Sequence, residues 1–498
     1  MTPTAHRRPR FGFDNRYVRL PEHFYQRCQP EPVAAPQLLR FNRELARELG
    51  LDLDGCDTPT LAALFSGNTL PEDAQPLAMA YAGHQFGHFV PQLGDGRALL
   101  LGEVLDEQER RRDIQLKGSG RTAFSRQGDG RSALGPVIRE YLVSEAMHAL
   151  GVPSTRALAA VASGETVMRE QPTPGGILTR VAASHIRVGT FQYFAVRQDQ
   201  AAVRQLADHV IERHYPEVAD SESPYRALLE AVSEAQARLV ARWMGLGFIH
   251  GVMNTDNTAL SGETLDYGPC AFMDRYRSGQ VFSSIDSGGR YAYDNQPYVA
   301  RWNLARLAES LLELIHEDQE EAIRQAREVL EGFIPRYEQH WLATFAAKLG
   351  LESPGEADRE LIADLLSAME NNEVDFTLCF RRLCDAARGG QGAEAVADLF
   401  HSPDDWWQWQ ARWQQRLEDQ PGGGEAAAKR MAAVNPVLIP RNHRIEQAIR
   451  AAEDEGDFRE FDTLARLLAH PFSESAETVP YQQPPAPGEE VMRTFCGT

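Results

Sequence analysis

The sequence lacks the features of a membrane protein or a secreted protein. None of its apolar runs reaches 18 residues, so we expect no membrane-spanning helix. Residues 1–10 are polar and contain no apolar segment, so we expect no secretory signal. The six cysteines are scattered without C-x-x-C spacing, which argues against a structural zinc site and fits a reducing cytoplasm.

Positive charge is also scarce over the chain as a whole. The formal net charge is −20, and a polyanion would be repelled by such a protein, so we expect no nucleic-acid partner. Basic residues nevertheless cluster between Arg110 and Arg139. A basic pocket within an acidic protein suits a small phosphorylated ligand, although a solvated charged surface would give the same local composition.

The richest motif runs from His250 to Asn257 and reads H-G-V-M-N-T-D-N, and Asp266-Tyr267-Gly268 follows it. The spacing is that of the kinase catalytic loop H-R-D-L-x-x-x-N and the later D-F-G, whose Asn and Asp hold magnesium. Asn257 and Asp266 are therefore candidate metal ligands with the oxygen atoms that this ion prefers. A turn held by Asx hydrogen bonds is the alternative interpretation of the loop.

One position of this motif departs from the kinase pattern. The aspartate that accepts the substrate hydroxyl proton in a kinase is replaced by Val252. Asp256 is the only carboxylate left in the loop that could act as a base. Ordinary kinase chemistry is therefore in doubt.

The elements upstream of the loop follow the kinase order. Gly94-Asp95-Gly96-Arg97 precedes a predicted strand over 98–104 and could place backbone amides on a nucleotide, although an ordinary hairpin turn fits as well. Lys117 lies on the next predicted strand, and Glu140 lies on a helix predicted over 136–150. The two resemble the lysine and glutamate ion pair of kinases, but an exposed lysine and an exposed glutamate would be the simpler interpretation.

Periodicity and turn residues predict the remaining elements. Residues 155–197 are predicted to be strands, including 176–181 and 187–194, and residues 258–265 are predicted to form two short strands around a turn. Predicted helices span 35–49, 59–66, 200–214 and 224–244, and helices dominate from Trp302 onward.

Together these residues resemble the SelO family, also called YdiU, a kinase-like group that includes selenoprotein O. The resemblance extends from Phe13-Asp14-Asn15 through residues 115–120 and the loop at 250–257 to Asn435-Pro436. It implies a two-lobed protein-kinase-like fold of the α+β class. It further implies transfer of AMP, not phosphate, from ATP to Ser, Thr or Tyr hydroxyls of proteins, with the ATP bound in a flipped orientation.

The resemblance also implies roles for individual residues. Lys117 and Glu140 would form the ion pair, Asp256 would accept the proton, and Asn257 and Asp266 would bind Mg²⁺ or Mn²⁺. The residues that would contact ATP are Gly94, Gly96, Arg97, Lys117, Asp129, Gly130 and Asp266, with Arg180 and Arg187 on the outer phosphates.

The same resemblance divides the chain and names its partners. We expect an N-terminal extension over 1–75, a kinase-like N-lobe over 76–197, a kinase-like C-lobe over 198–320, and a helical extension with a tail over 321–498. We expect a monomer in a bacterial cytoplasm, with ATP and hydroxyl-bearing proteins as partners. A phosphoryl-transferring kinase and an inactive nucleotide-binding scaffold are the alternatives.

Two cysteines raise a separate possibility. Cys270 follows Asp266 closely, and Cys496 lies at the end of a proline-rich tail that starts at Pro480. A bond between them would pin the tail beside the metal site and act as a transient redox gate. A buried free Cys270 with an idle Cys496 is the alternative.

Overall fold

The structure is a computed structural model that describes residues 9–495, and it combines many helices with an antiparallel sheet, in line with the α+β class. The strands are β1 (Tyr25–Arg27), β2 (Gln37–Phe41), β3 (Leu77–Met79), β4 (Gly83–Gln85), β5 (His88–Val90), β6 (Ala98–Leu105), β7 (Arg111–Lys117), β8 (Ser132–Ala133), β9 (Arg156–Met168), β10 (Pro172–Ala182), β11 (Phe248–Ile249) and β12 (Ala271–Phe272). The helices are α1 (Arg43–Glu48), α2 (Thr58–Phe65), α3 (Leu134–Ala149), α4 (Val188–Ala195), α5 (Gln200–His214), α6 (Pro224–Leu246), α7 (Gln296–Ile315), α8 (Gln319–Glu331), α9 (Phe333–Lys348), α10 (Glu356–Asn371), α11 (Phe376–Ala386), α12 (Gln391–Ala397), α13 (Pro403–Glu418), α14 (Gly423–Ala432), α15 (Asn442–Glu455), α16 (Arg459–Leu468) and α17 (Val479–Gln482).

The main sheet has the strand order β1-β3-β6-β7-β10-β9-β2, and β8 pairs with the beginning of β10. Its described pairings are antiparallel. Strand β7 lies between β6 and β10, so Lys117 at its end has Ala98 on one side and Leu178 on the other. This central position removes most of the lysine from solvent.

Both faces of the sheet are covered by helices. Ile177 belongs to the core that includes α1 and α2, whereas the next residue, Leu178, belongs to the core that includes α3. Leu101 and Leu100 of β6 alternate between the same two cores. Since successive side chains of a strand point to opposite faces, two covered faces favour runs of apolar residues, such as 98–101 of β6 and 176–178 of β10.

Two helices bring the chain to the loop at 250–257. Helix α5 has the bounds that the sequence predicts, 200–214, and its N-cap Asp199 accepts a hydrogen bond from the Ala202 amide at 3.0 Å. Helix α6 begins at Pro224 and ends before Gly247, whose φ of 67° gives the left-handed cap that glycine favours. The chain then enters β11 and the loop directly.

The helix that the sequence predicts over 35–49 is wrong in its first half. Residues 37–41 form strand β2, which pairs with β9 through Leu38 and Val161, and only residues 43–48 are helical. The pairing supplies backbone hydrogen bonds from a strand that is more than a hundred residues away. Asn42 then starts α1 by accepting a hydrogen bond from the Leu45 amide.

The strand predicted over 187–194 is also wrong, because residues 188–195 form helix α4. Thr190 accepts a hydrogen bond from the Arg187 amide at 3.2 Å, which fixes the first turn. Most residues of α4 are buried, so the sequence shows no polar stripe that would reveal a helix. Residues 258–265 form no strand either, and Thr258 and Thr264 make only an isolated bridge.

The last helices of the chain cover α3. Helices α15 and α16 pack on it, Arg139 Nη2 lies 2.6 Å from Glu446 Oε1, and the Gly135 amide donates to Glu453 Oε1 at 2.8 Å.

Among residues 9–495, no helix is both long enough and apolar enough to cross a bilayer.

The tail returns to the segment that follows Asp266. The Thr494 amide donates to the Phe282 carbonyl at 2.8 Å, and the Thr494 hydroxyl donates to the Pro269 carbonyl. Burial raises the pKa of the neighbouring Cys270 thiol to about 12. Cys496 lies outside the described residues, so its pairing with Cys270 stays a prediction.

Arg441 joins three parts of the chain from a buried position. Its guanidinium bonds Asp274, lies 2.9 Å from Asp375 Oδ2, and donates to the Gln482 carbonyl at 3.1 Å. Removing one member of such a buried group leaves the others without a counter-charge. Arg441 therefore fixes the segment after Asp266 against α11 and the tail.

We expect Arg441→Ala to lower the free energy of unfolding by about 3–5 kcal/mol, because Asp274 and Asp375 would remain buried without their cation. Urea denaturation followed by circular dichroism measures the loss. Arg459→Ala is the control, since its side chain is 91% exposed beside Asp457, and it should leave the unfolding curve unchanged. Equal curves for Arg441→Ala and the wild type would contradict this role.

Candidate active site

Four charged side chains meet at the end of β7. Lys117 Nζ lies 2.7 Å from Glu140 Oε2 and 2.8 Å from Asp266 Oδ1. Arg180 donates through Nε to Glu140 Oε1 at 2.7 Å, and its Nη2 lies 3.5 Å from Asp266 Oδ1. Two positive and two negative charges therefore balance within one group, which we call the ion cluster. It brings together β7, α3, β10 and the segment after the loop.

Asp266 has two unusual properties. Its φ is 70°, in the left-handed region that residues other than glycine rarely adopt. Burial alone would raise the pKa of this carboxyl, but Lys117, Arg180 and Arg97 outweigh that effect and hold the pKa far below its usual range. The side chain is still 31% exposed, so an ionised carboxylate in a strained backbone conformation is open to a ligand.

The loop at 250–257 is held from several sides. His250 Nε2 lies 3.0 Å from the Leu265 carbonyl, and the amide of Asn303 donates to the Met253 carbonyl at 2.9 Å. Asn254 Oδ1 accepts hydrogen bonds from the Tyr291 hydroxyl at 2.6 Å and from the Phe86 amide at 3.0 Å. Helix α7 and the neighbouring segments therefore hold the first half of the loop in place through hydrogen bonds.

Asn257 has an oxygen atom available for a ligand. Its side-chain amide donates to the Val252 carbonyl at 3.2 Å, which orients the side chain. Within residues 9–495, Asn257 Oδ1 accepts no hydrogen bond of its own. The amide oxygen and the Asp266 carboxylate line the same cavity.

Asp256 is buried beneath the β4–β5 hairpin. Its Oδ2 accepts a hydrogen bond from Gln85 Nε2 at 3.3 Å, whereas its Oδ1 is buried and has no partner among the described residues. Burial raises the pKa of Asp256 to about 6, although the Gln85 hydrogen bond and Arg187 oppose the shift. A Cβ at residue 83 would lie 2.5 Å from Asp256 Oδ1, so the hairpin can cover this carboxylate only with glycine there.

A cavity of about 720 Å³ opens over these groups, a volume that suits a nucleotide. Lys117, Glu140 and Arg180 lie behind Asp266 rather than on the cavity surface. The candidate residues that line the cavity are Gly94, Gly96, Arg97, Asp129, Gly130, Arg187, Asp256, Asn257 and Asp266.

Two of the glycines on this surface have a left-handed backbone and no room for a Cβ. Gly94 has a φ of 72°, and a Cβ there would lie 2.2 Å from the Phe124 ring. Gly130 has a φ of 69°, and a Cβ there would lie 2.1 Å from the Gly120 carbonyl oxygen. Asp129 beside it bonds Arg169 Nη1 at 2.8 Å and so holds the loop over the cavity.

The two candidate phosphate-binding arginines are not equivalent. Arg187 lies on the cavity surface, 4.3 Å above the Tyr81 ring, and its Nη1 donates to the Asp256 carbonyl at 3.1 Å. Arg180 is committed to Glu140 and Asp266 within the ion cluster. Of these two arginines, Arg187 is therefore the one on the cavity surface, whereas Arg180 contacts Asp266 from behind it.

Sequence reasoning missed a buried polar network behind the cavity. Asp113 Oδ2 lies 3.0 Å from His185 Nδ1, and Asp113 Oδ1 lies 2.6 Å from Arg213 Nη2. Arg213 also bonds Glu103 Oε2 at 3.0 Å. Glu103 and Asp113 face each other across β6 and β7. The available signal was Glu103, a lone carboxylate in the otherwise apolar β6, together with Asp113 on the next strand.

The cavity residues fit a nucleotide with a divalent cation. The free amide oxygen of Asn257 and the ionised carboxylate of Asp266 are hard oxygen donors, and the unpartnered Asp256 Oδ1 lies in the same wall. Residues 9–495 contain no group of three or more His, Cys, Asp or Glu side chains that could hold a metal ion. Magnesium commonly completes such a sparse site with phosphate oxygens and water.

Comparison with known proteins identifies relatives over nearly the whole chain. The family model described as protein adenylyltransferase SelO matches residues 9–469. The protein nucleotidyltransferase YdiU of Rhodopseudomonas palustris strain BisB5 is 58% identical over 488 residues, which cover 98% of this chain and 99% of the relative. The protein of the same name from Rhizobium meliloti strain 1021 is 56% identical over 488 residues, with the same coverage.

The raised pKa of Asp256 predicts a stability effect. The folded chain binds the proton more tightly than the unfolded chain, so ionisation lowers stability as the pH rises from about 4 to about 6. Asp256→Asn removes that charge and should stabilise the protein above pH 7 by up to about 3 kcal/mol, the equivalent of about two pKa units. The gain should shrink as the pH falls below about 6 and should disappear only below about pH 3, where the wild-type carboxyl is protonated in both states.

Urea unfolding of both proteins at pH 8 and pH 4.5 measures this difference. The other titrating groups are the same in both proteins, so their effects cancel when the stability difference between the variant and the wild type at pH 8 is compared with the difference at pH 4.5. A variant that is less stable than the wild type at pH 8 would show that the carboxylate is not a buried, disfavoured charge.

Proposed function

The chain belongs to the SelO family and is a nucleotidyltransferase, and on that premise we propose that it transfers AMP from ATP to Ser, Thr or Tyr hydroxyls of other proteins. The observation that carries this proposal is the cavity in which Asn257 and Asp266 supply metal-binding oxygens while Val252 replaces the kinase base and Asp256 lies buried beside them.

We propose a kinase-like arrangement of two lobes around the cavity. Strands β3 to β10 with α3 and α4 would form the lobe over 76–197, and helices α5 to α7 would supply most of the lobe over 198–320. The N-terminal extension would add β1 and β2 to the sheet, and the helical extension would follow the second lobe. The ATP would lie in the flipped orientation between the lobes. Arg187, on the cavity surface beside Asp256, supports this orientation because it can neutralise the outer phosphates.

The residues divide the chemical work among them. Lys117 and Arg180 keep Asp266 ionised and fixed in position, so that Asn257 and Asp266 can hold Mg²⁺ or Mn²⁺. The metal, when bound, neutralises phosphate charge. Arg97 and the backbone near Gly94 would contact the remainder of the nucleotide.

Asp256 would accept the proton of the acceptor hydroxyl. With a pKa of about 6 it is ionised at neutral pH and is still a stronger base than an ordinary aspartate. The hydroxyl oxygen forms a bond to the α-phosphorus, the bond from that phosphorus to the bridging oxygen breaks, and pyrophosphate leaves. Arg187 would stabilise the charge that develops on the leaving group.

Incubation with ATP labelled on the α-phosphate or on the γ-phosphate tests the proposal. Label that stays on protein only from the α position supports AMP transfer. Label only from the γ position would show a kinase, and label from neither would show a nucleotide-binding scaffold. Parallel reactions with α-labelled UTP determine whether uridylyl transfer competes.

We expect Asp266→Ala to lower the rate of AMP transfer by about 10²–10³, because the phosphates would lose the charge that positions the metal. Nucleotide binding should also lose its dependence on Mg²⁺ or Mn²⁺ in calorimetry. Asp266→Asn keeps the shape without the charge and should show a similar loss. Near wild-type transfer by either variant would remove Asp266 from the proposed metal site.

We expect Arg187→Ala to weaken ATP binding by about 1.5–3 kcal/mol while AMP binding changes little, because only the outer phosphates would meet this guanidinium. Calorimetry with each nucleotide measures the difference. Arg197→Ala is a matched control, since Arg197 also stacks on a tyrosine, Tyr193, but lies outside the cavity. Equal losses of ATP and AMP affinity would contradict the role of Arg187.

A further inference from the structure

A second concave surface lies between α7 and α8, outside the cavity already described. This groove has a volume of about 640 Å³ and is lined mainly by apolar side chains. Tyr298 and Ile323 are 61% and 38% exposed, although large apolar side chains are costly to leave in water. The apolar residues that the groove draws from the two helices include Tyr298, Trp302, Leu312, Ile323 and Leu330.

The groove residues repeat at helical spacing on both walls. Positions 298, 302, 305 and 312 lie along α7, and positions 323, 326 and 330 lie along α8. The span from Tyr298 to Leu312 corresponds to a trough about 20 Å long at a rise of about 1.5 Å per residue. Two parallel rows of this kind form the surface into which a third helix can pack.

The rim of the groove carries unpaired positive charge. Arg301 and Arg327 line it, and neither forms an ion pair with another residue between 9 and 495. The Arg290 guanidinium lies 4.6 Å above the Trp302 ring and likewise forms no ion pair with a carboxylate in that part of the chain. Glu309 is the one carboxylate in the lining, and Arg306 neutralises it at 2.7 Å. In a chain of net charge −20, this surface favours an acidic partner.

The groove adjoins the candidate active site through the β4–β5 hairpin. The Trp302 ring meets the His84 ring edge to face at 5.1 Å. The His84 amide donates to Thr255 Oγ1 at 2.7 Å, and the next residue, Gln85, donates to Asp256. A segment seated in the groove would therefore lie one hairpin away from the proposed proton acceptor.

We propose that this groove docks the protein substrate through an amphipathic helix of about four turns, with apolar residues on one face and Asp or Glu along its flank. Rows of apolar side chains would hold the helix face, and Arg301 and Arg327 would pair with its carboxylates. The proposal rests on the proposed function, since it supplies the acceptor protein. In this proposal the groove, which lies outside the nucleotide cavity, selects the acceptor protein.

A designed peptide tests the binding step by itself. The probe is a fluorescein-labelled helix of 16 residues with leucines at positions i, i+4, i+7 and i+11 and glutamates on both flanks. Fluorescence anisotropy with the full chain should show binding, and a peptide with lysines in place of the glutamates should bind at least about tenfold more weakly. Equal affinity for both peptides, or no binding of either, would overturn the proposal.

Variants on α8 locate the peptide. Ile323→Glu and Arg327→Glu should each weaken binding at least about tenfold, whereas Arg324→Glu, the same charge reversal on the same helix outside the groove, should change it less than about twofold. Circular dichroism melts check that each variant is folded. Unchanged affinity in Ile323→Glu would place the peptide elsewhere and overturn the proposal.

A second experiment links docking to catalysis. The acidic peptide is joined by Gly-Ser linkers of several lengths to an acceptor segment that contains Ser, Thr and Tyr, and transfer from α-labelled ATP is measured. Docking should raise kcat/KM at least about tenfold over the acceptor segment alone, because the linker raises its effective concentration. Ile323→Glu should remove this gain while transfer to the acceptor segment alone continues.

The outcomes separate the two proposals. If the peptide binds in the groove but no acceptor receives label from α-labelled ATP, the proposed AMP transfer is contradicted and the docking site is not. If transfer occurs but the joined peptide does not increase it, the docking site is contradicted and AMP transfer is not. The groove could instead be filled by a second copy of this chain, and sedimentation velocity tests that alternative. A wild-type dimer that becomes a monomer in Ile323→Glu would show such self-association and would overturn the proposal.

Discussion

The ion cluster of Lys117, Glu140, Arg180 and Asp266 is the interaction on which the rest of the site depends. Its four side chains come from β7, α3, β10 and the segment after the loop, so their contacts fix the sheet, the helix and the cavity floor relative to one another. Buried charges are stable only when each has its partners. Displacement of any one of these elements would leave a charge without its partner, so the four elements keep their relative positions together.

The cavity above the cluster contains features that are unfavourable for stability alone. Asp266 adopts a left-handed backbone conformation, and Asp256 holds a buried oxygen atom without a hydrogen-bond partner among the described residues. Such features persist where the surrounding structure enforces them. Here the enforcing groups are the cations of the ion cluster below and the β4–β5 hairpin above. Function and stability therefore place opposite demands on the same few residues.

Local sequence signals predict those parts of the molecule that local forces determine. Helix α5 has the bounds that its sequence predicts because its apolar residues recur at helical spacing behind an Asp199 cap. Motif spacing alone groups Lys117, Glu140, Asn257 and Asp266 into one site. Their chemical roles remain proposals, but their proximity is observed.

Long-range contacts determine what the sequence could not reveal. Strand β2 exists because β9 pairs with it, and the uniform burial of α4 hides its period. The environment of Asp256 depends on Gly83 and Gln85, which no motif connects to the loop. Arg180 and Arg187 also differ because only Arg180 belongs to the ion cluster. Their spacing in the sequence does not reveal this difference.

The cover over α3 has a consequence for the synthesis of the chain. Helix α3 carries Glu140, and its partners Glu446 and Glu453 follow Arg139 and Gly135 by 307 and 318 positions. A ribosome releases the chain from its N-terminus, so the outer side of α3 stays exposed until translation is nearly complete. The sheet packs on the inner side of α3 and can form early, but the outer side of this helix is covered only once α15 and α16 have been made. A nascent or prematurely terminated chain therefore carries the whole loop motif while the helix that holds Glu140 is packed on one side only.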